Sequence, residues 1–127
     1  MSDDQGRPRV FVVDDEPTIA TTLGMILRQH GFDAQTFELP AEALHASRET
    51  APDLLLTDVV MPLLSGIDLA IQMRAHCPCC KVLLFSGQPA TSDLLVKARA
   101  SGHSFEALAK PVPPAELLEK IRTLLDA

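Results

Sequence analysis

The chain has 127 residues, 46% hydrophobic and 22% charged, which fits a single domain with a core of its own. Its net charge of −6, its scattered Lys and Arg and its lack of Trp and Tyr argue against a nucleic-acid surface, which needs clustered cations or aromatic platforms. No apolar stretch approaches the ~18 residues of a membrane span, and the polar start MSDDQGRPR has no secretory core. The expectation is a cytoplasmic protein with no membrane span.

Residues 1–8 are polar and read as a flexible N-terminus, with the domain over 9–126. Residues 9–13 (RVFVV) are an apolar run, the mark of a strand buried on both faces of a parallel sheet. Pro17 suits the first turn of a helix. Ile19, Leu23, Ile26 and Leu27 follow at helical spacing, and Gly31 is a natural stop. Residues 32–37 alternate apolar and polar, so they read as a strand with one less buried side. Pro40 to about Ser47 is a short helix carrying Ala43 and Leu44.

Residues 53–57 (DLLLT) are a central strand, followed by the loop VVMPLLSG and a third helix from about Gly66 to Ala75. Residues 81–85 (KVLLF) are the fourth strand. Thr91 or Ser92 caps a fourth helix that ends near Gly102. Residues 104–109 are the fifth strand, although FEALA alone also suits a helix. From Pro114, the positions Leu117, Leu118, Ile121, Leu124 and Leu125 mark the apolar face of a last helix. Five strands alternating with five helices predict an α/β domain, its parallel sheet covered on both sides.

The carboxyl ends of parallel strands share one edge, where ligands bind. The first strand runs into Asp14-Asp15-Glu16, the third into Asp58, the fourth into Ser86-Gly87 and the fifth into Lys110-Pro111. Acids, a hydroxyl and a lysine at one edge suit a divalent cation and a phosphoryl group. Glu16 reads as structural. Cys77, Cys79 and Cys80, beside His76, lack zinc-ribbon spacing and a second ligand cluster. They read as small, partly buried thiols in a turn.

With these residues in this order, the chain resembles the receiver domain of bacterial two-component response regulators over about residues 8–126. The segment Asp58-x-x-Met61-Pro62 followed by Gly66 is the most specific piece. The resemblance implies a flavodoxin-like, doubly wound five-stranded sheet of order 2-1-3-4-5; that order comes with the family. It implies that Asp58 accepts a phosphoryl group from a sensor histidine kinase or a phosphotransfer protein. It implies Mg²⁺, or another divalent cation such as Mn²⁺. Asp15, Asp58 and the main-chain carbonyl of Val60 would be direct ligands, and Asp14 would act through water. Lys110 would pair with Asp58 and then with the phosphoryl group, aimed by a cis Lys110-Pro111 bond, which is accessible before proline. Ser86 would donate to the phosphoryl group. The surface of the fourth helix, fifth strand and fifth helix would change for an unknown downstream protein.

The chain departs from the family in two places. Receivers carry Tyr or Phe three residues before the lysine, and Ala107 stands there. Either Phe105 substitutes through a shifted register or the aromatic part of the switch is missing. Val60, two residues after Asp58, is apolar and cannot hold an attacking water, whereas Gln88 offers a polar group near Ser86. Alternatives are a small-molecule phosphohydrolase, which would want an acid where Val60 stands, a receiver-like module indifferent to phosphate, and a flavin binder, for which no Trp or Tyr is available. The chain ends with its last helix, as a stand-alone regulator or a domain cut from a longer protein would.

Overall fold

Apolar runs flanked by polar turns set the architecture of the computed structural model, which describes residues 6–61, 64–87, 91–102, 105–110 and 112–126, without the side chains of 91–94. The strands are β1 (Arg9–Val13), β2 (Asp33–Phe37), β3 (Leu54–Asp58), β4 (Lys81–Ser86) and β5 (Glu106–Ala109). The helices are α1 (Pro17–Gln29), α2 (Pro40–Glu49), α3 (Gly66–His76), α4 (Thr91–Ala100) and α5 (Pro114–Asp126). All strand pairs are parallel, in the order β2-β1-β3-β4-β5.

Each strand divides its side chains between two cores, because successive residues point to opposite faces. Phe11, Val13, Leu55, Val82 and Leu84 pack with Ala43, Leu69, Ala70 and Met73 under α2 and α3. Val10, Val12, Leu54, Leu56, Leu83 and Phe85 pack with Leu27, Leu117, Leu118 and Ile121 under α1 and α5. The strand order reverses between β1 and β3, so a crevice opens at their carboxyl ends. That crevice positions the site.

The boundaries differ from the sequence expectation where hydrogen bonds decide them. Phe32 is buried but donates its N–H back to Leu27 of α1, so β2 starts at Asp33. Gly31 turns the chain there with φ +92°, a conformation that side chains oppose. At the same amino-terminal edge of the sheet, Asp53 bridges instead of opening β3: its N–H reaches the Arg9 carbonyl at 2.8 Å and its carboxylate accepts the Arg9 N–H at 2.7 Å. β3 extends through Asp58 and β4 through Ser86. Phe105 precedes β5, which is only four residues long. The expected roles of Pro62, Gln88 and Pro111, and the capping of α4 by Thr91 or Ser92, lie outside the described residues.

Candidate functional site

Asp14 follows β1 directly, and its N–H donates to the Phe37 carbonyl of β2 at 3.1 Å. This carries the ladder one residue past the strand and buries Asp14 completely. Its Oδ1 accepts the N–H of Glu16 at 2.8 Å, a local Asx-type bond that shapes the turn into α1. Its Oδ2 lies 3.4 Å from Lys110 Nζ. Burial raises the Asp14 carboxyl above its ordinary range, the nearby Asp58 charge adds to the rise, and the Glu16 N–H and Lys110 oppose it. A cation placed here offsets that cost to the anion.

Asp58 ends β3 and stands opposite Phe85 of β4. Its Oδ2 lies 3.3 Å from Lys110 Nζ, so one ammonium bridges Asp14 and Asp58. The backbone around Asp58 is held from several sides. Thr57 Oγ1 donates to the Asp58 carbonyl at 2.9 Å, Val59 N–H donates to Phe85, and Gly66 N–H donates to Val59 at 2.7 Å. A Cβ on Gly66 would overlap the Asp58 carbonyl. Only glycine therefore lets α3 begin this close to β3, with Ser65 Oγ capping it by accepting the Asp68 N–H at 3.1 Å.

Lys110 follows β5, and its N–H donates to the Ser86 carbonyl at 3.0 Å. Its ammonium sits 4.8 Å from the Phe85 ring centroid, a cation–π contact that sequence reading missed because Phe85 reads simply as core. Ser86 is buried at the end of β4, one residue past the partner of Asp58. Asp15, Glu16, Asp58, Val60, Gly87 and Lys110 line a cleft of about 340 Å³. The backbone N–H of Glu16 shapes the Asp14 turn, and the residue also lines the cleft.

The carboxylates of Asp14, Asp15 and Asp58 offer one oxygen each, all within 4.8 Å of one another. Hard oxygen donors at this spacing, around a carboxyl that burial disfavours as an anion, fit Mg²⁺. Of the expected residues, the fold thus brings Asp14, Asp15, Asp58 and Lys110 together, with Ser86 beside them and Val60 on the rim. Phe105, one of two readings for the switch aromatic, lies away from them. That ring is buried at the start of β5, in the core on the α3 and α4 side, with the Arg74 guanidinium 4.6 Å from its centroid. Five residues of extended chain put it about 16 Å from Lys110. Ala107, three residues before the lysine, pairs with Leu84 and is exposed.

Fold and cleft together define a doubly wound α/β protein with an acid-lined cleft at its switch point. The chain belongs to the response regulator receiver domain family, whose sequence profile matches residues 10–122. It is 33% identical over 122 residues to the DNA-binding response regulator MtrA of Mycolicibacterium smegmatis, covering 96% of this chain and 52% of that one. It is 34% identical to the transcriptional regulatory protein CreB of Escherichia coli, covering 94% and 51%. The chain thus spans about half the length of these relatives. Among solved structures, a receiver domain protein from Methanospirillum hungatei superposes with a TM-score of 0.84 at 28% identity, covering 95% of both chains. One from Clostridium thermocellum gives 0.83 at 29% identity, covering 94% of both. Receiver domains are the phosphoacceptor signalling domains of two-component systems; they bind Mg²⁺ at an acidic pocket and interact with histidine kinases.

Proposed function

We propose that Asp58 accepts a phosphoryl group from a phosphohistidine of a sensor histidine kinase or phosphotransfer protein. The observation that carries this reading is the single Lys110 ammonium, 3.3 Å from Asp58 and 3.4 Å from Asp14. A phosphoryl transfer needs positioning and charge neutralisation more than covalent help. An Asp58 carboxylate oxygen attacks phosphorus as the P–N bond breaks, and the imidazole leaves with the electron pair and takes a proton.

Asp14, Asp15, Asp58 and the Val60 carbonyl would hold Mg²⁺. Bound there, the cation screens the attacking carboxylate from the anionic phosphoryl group. Lys110 balances the charge from the opposite side, first on Asp58 and then on a phosphoryl oxygen. Ser86 donates its hydroxyl to another oxygen, and the Gly87 backbone leaves room for the group. The added charge then biases the surface of α4, β5 and α5 between two arrangements that a downstream protein distinguishes.

The test is intact-mass measurement after incubation with Mg²⁺ and acetyl phosphate. One phosphoryl group is expected on the native chain and none on Asp58→Ala. A native chain that stays unlabelled, while magnesium binding is evident by calorimetry, would leave a module indifferent to phosphate. Release of more than one equivalent of phosphate per chain each minute from a free phosphate ester would instead favour a hydrolase, which the apolar Val60 argues against.

A further inference from the structure

At the edge of the sheet opposite Asp58, three thiols occupy the connection between α3 and β4. Cys77 is the C-cap of α3, and Cys80 precedes β4. The Cys80 N–H donates to the Cys77 carbonyl at 3.0 Å. Residues 77–80 therefore form a β-turn, with Pro78 at the second position, where its fixed φ belongs. All three cysteines are free. Cys77 and Cys80, 8% and 4% exposed, belong to one hydrophobic cluster, whereas Cys79 is exposed.

We propose that Cys77 and Cys80 are an oxidisable pair that closes to an intramolecular disulfide across this turn. A β-turn holds its first and last Cα atoms within ~7 Å, which overlaps the ~4.4–6.8 Å that disulfides span. Both sulfur-bearing residues enter the same core cluster. Cys79 is exposed and outside that cluster, so a bridge that includes it stays open to exchange.

Burial holds the inner thiols protonated. It pushes Cys77 up and, with the Cys77 charge nearby, Cys80 to about 12. The thiolate is the reactive form, so the exposed Cys79 meets peroxide first; Cys77 and Cys80 then act at close range, each passing its proton to the departing group. Hydrogen peroxide transfers one oxygen to Cys79: the O–O bond breaks, a sulfenic acid forms and one water leaves. Cys77 displaces that oxygen as a second water. Cys80 then attacks the Cys77 sulfur and returns Cys79 as a thiol. The balance is two thiols and one peroxide to one disulfide and two waters. The Arg74 charge acts on Cys80, and the same guanidinium stacks on Phe105, so the bridge forms beneath the contact between α3 and the start of β5.

The test treats the folded, reduced full chain with hydrogen peroxide, quenches it, and alkylates the remaining thiols in urea. Trypsin cleavage after Arg74 and Lys81 then leaves all three cysteines in the peptide 75–81. The expected peptide is lighter by two hydrogens, carries one alkyl group on Cys79, and reverts with dithiothreitol. Oxidation in urea is expected to scatter the pairing. Cys79→Ser is expected to close the same bridge about tenfold more slowly. Three alkyl groups after oxidation, or the alkyl group on Cys77 or Cys80, would overturn the pair. An unchanged rate in Cys79→Ser would overturn the route through Cys79.

Discussion

Val60 stands two residues past Asp58, 45% exposed at the mouth of the cleft. Its side chain has no donor or acceptor, so it gives no hold to a water aimed at the acyl phosphate. Val60→Asn is expected to shorten the life of phosphorylated Asp58 by about tenfold, below the full contribution of a positioned acid–base group. The measurement is loss of phosphoryl mass with time after the donor is removed, and equal decay in both chains sinks the idea. Gly66 works through space, not hydrogen bonding by a side chain. A methyl group there meets the Asp58 carbonyl, so Gly66→Ala is expected to destabilise the fold by about 1–3 kcal/mol, the range for overpacking. Urea unfolding reads this directly, and a midpoint equal to that of the native chain contradicts the close approach.

At the scale of elements, legibility followed burial. β1, β3 and β4 are buried on both faces by helices, which turns them into unbroken apolar runs. Because those runs end at one sheet edge, the meeting of Asp14, Asp58 and Ser86 at one candidate site was legible from their places in the sequence. β5 is an edge strand, and three of its four residues are exposed. Little in its composition records the core, which is why FEALA also suits a helix. Gly66 appeared as part of a motif, but the clash it avoids depends on how α3 meets β3, a tertiary fact. Phe105 was open in the sequence for the same reason, since register decides which end of β5 it occupies. Its ring packs in the core on the α3 and α4 side. Phe105→Ala is expected to lower stability by about 3–5 kcal/mol, as for other buried aromatic truncations, while the folded fraction still takes one phosphoryl group at the native rate. Stability without loss, but with slowed labelling, would return Phe105 to the switch.

For the whole molecule, the acid cluster sets stability against charge. The chain carries a net −6, and three of its carboxylates crowd one cleft. Burial raises the Asp14 carboxyl above its ordinary value, so the folded state holds that proton more tightly than the unfolded chain does. The metal-free protein therefore gains stability from Asp14 at low pH. It loses that contribution as pH rises from the unfolded carboxyl value through the raised folded one. Asp14→Asn is expected to flatten this fall and to raise the urea midpoint at neutral pH in the presence of a chelator. Magnesium held in the folded cleft and not by the unfolded chain would act in the opposite sense to deprotonation. At ten times its dissociation constant, it is expected to add about 1.4 kcal/mol. General screening of the net charge would produce a gain with any salt, so the comparison is MgCl₂ against KCl at matched ionic strength, read by thermal or urea unfolding. A gain specific to MgCl₂, lost in Asp15→Asn, places the cation among the three aspartates. Equal gains from both salts would mean that magnesium acts on the acidic surface as a whole, and the cleft would lose its claim to a dedicated metal.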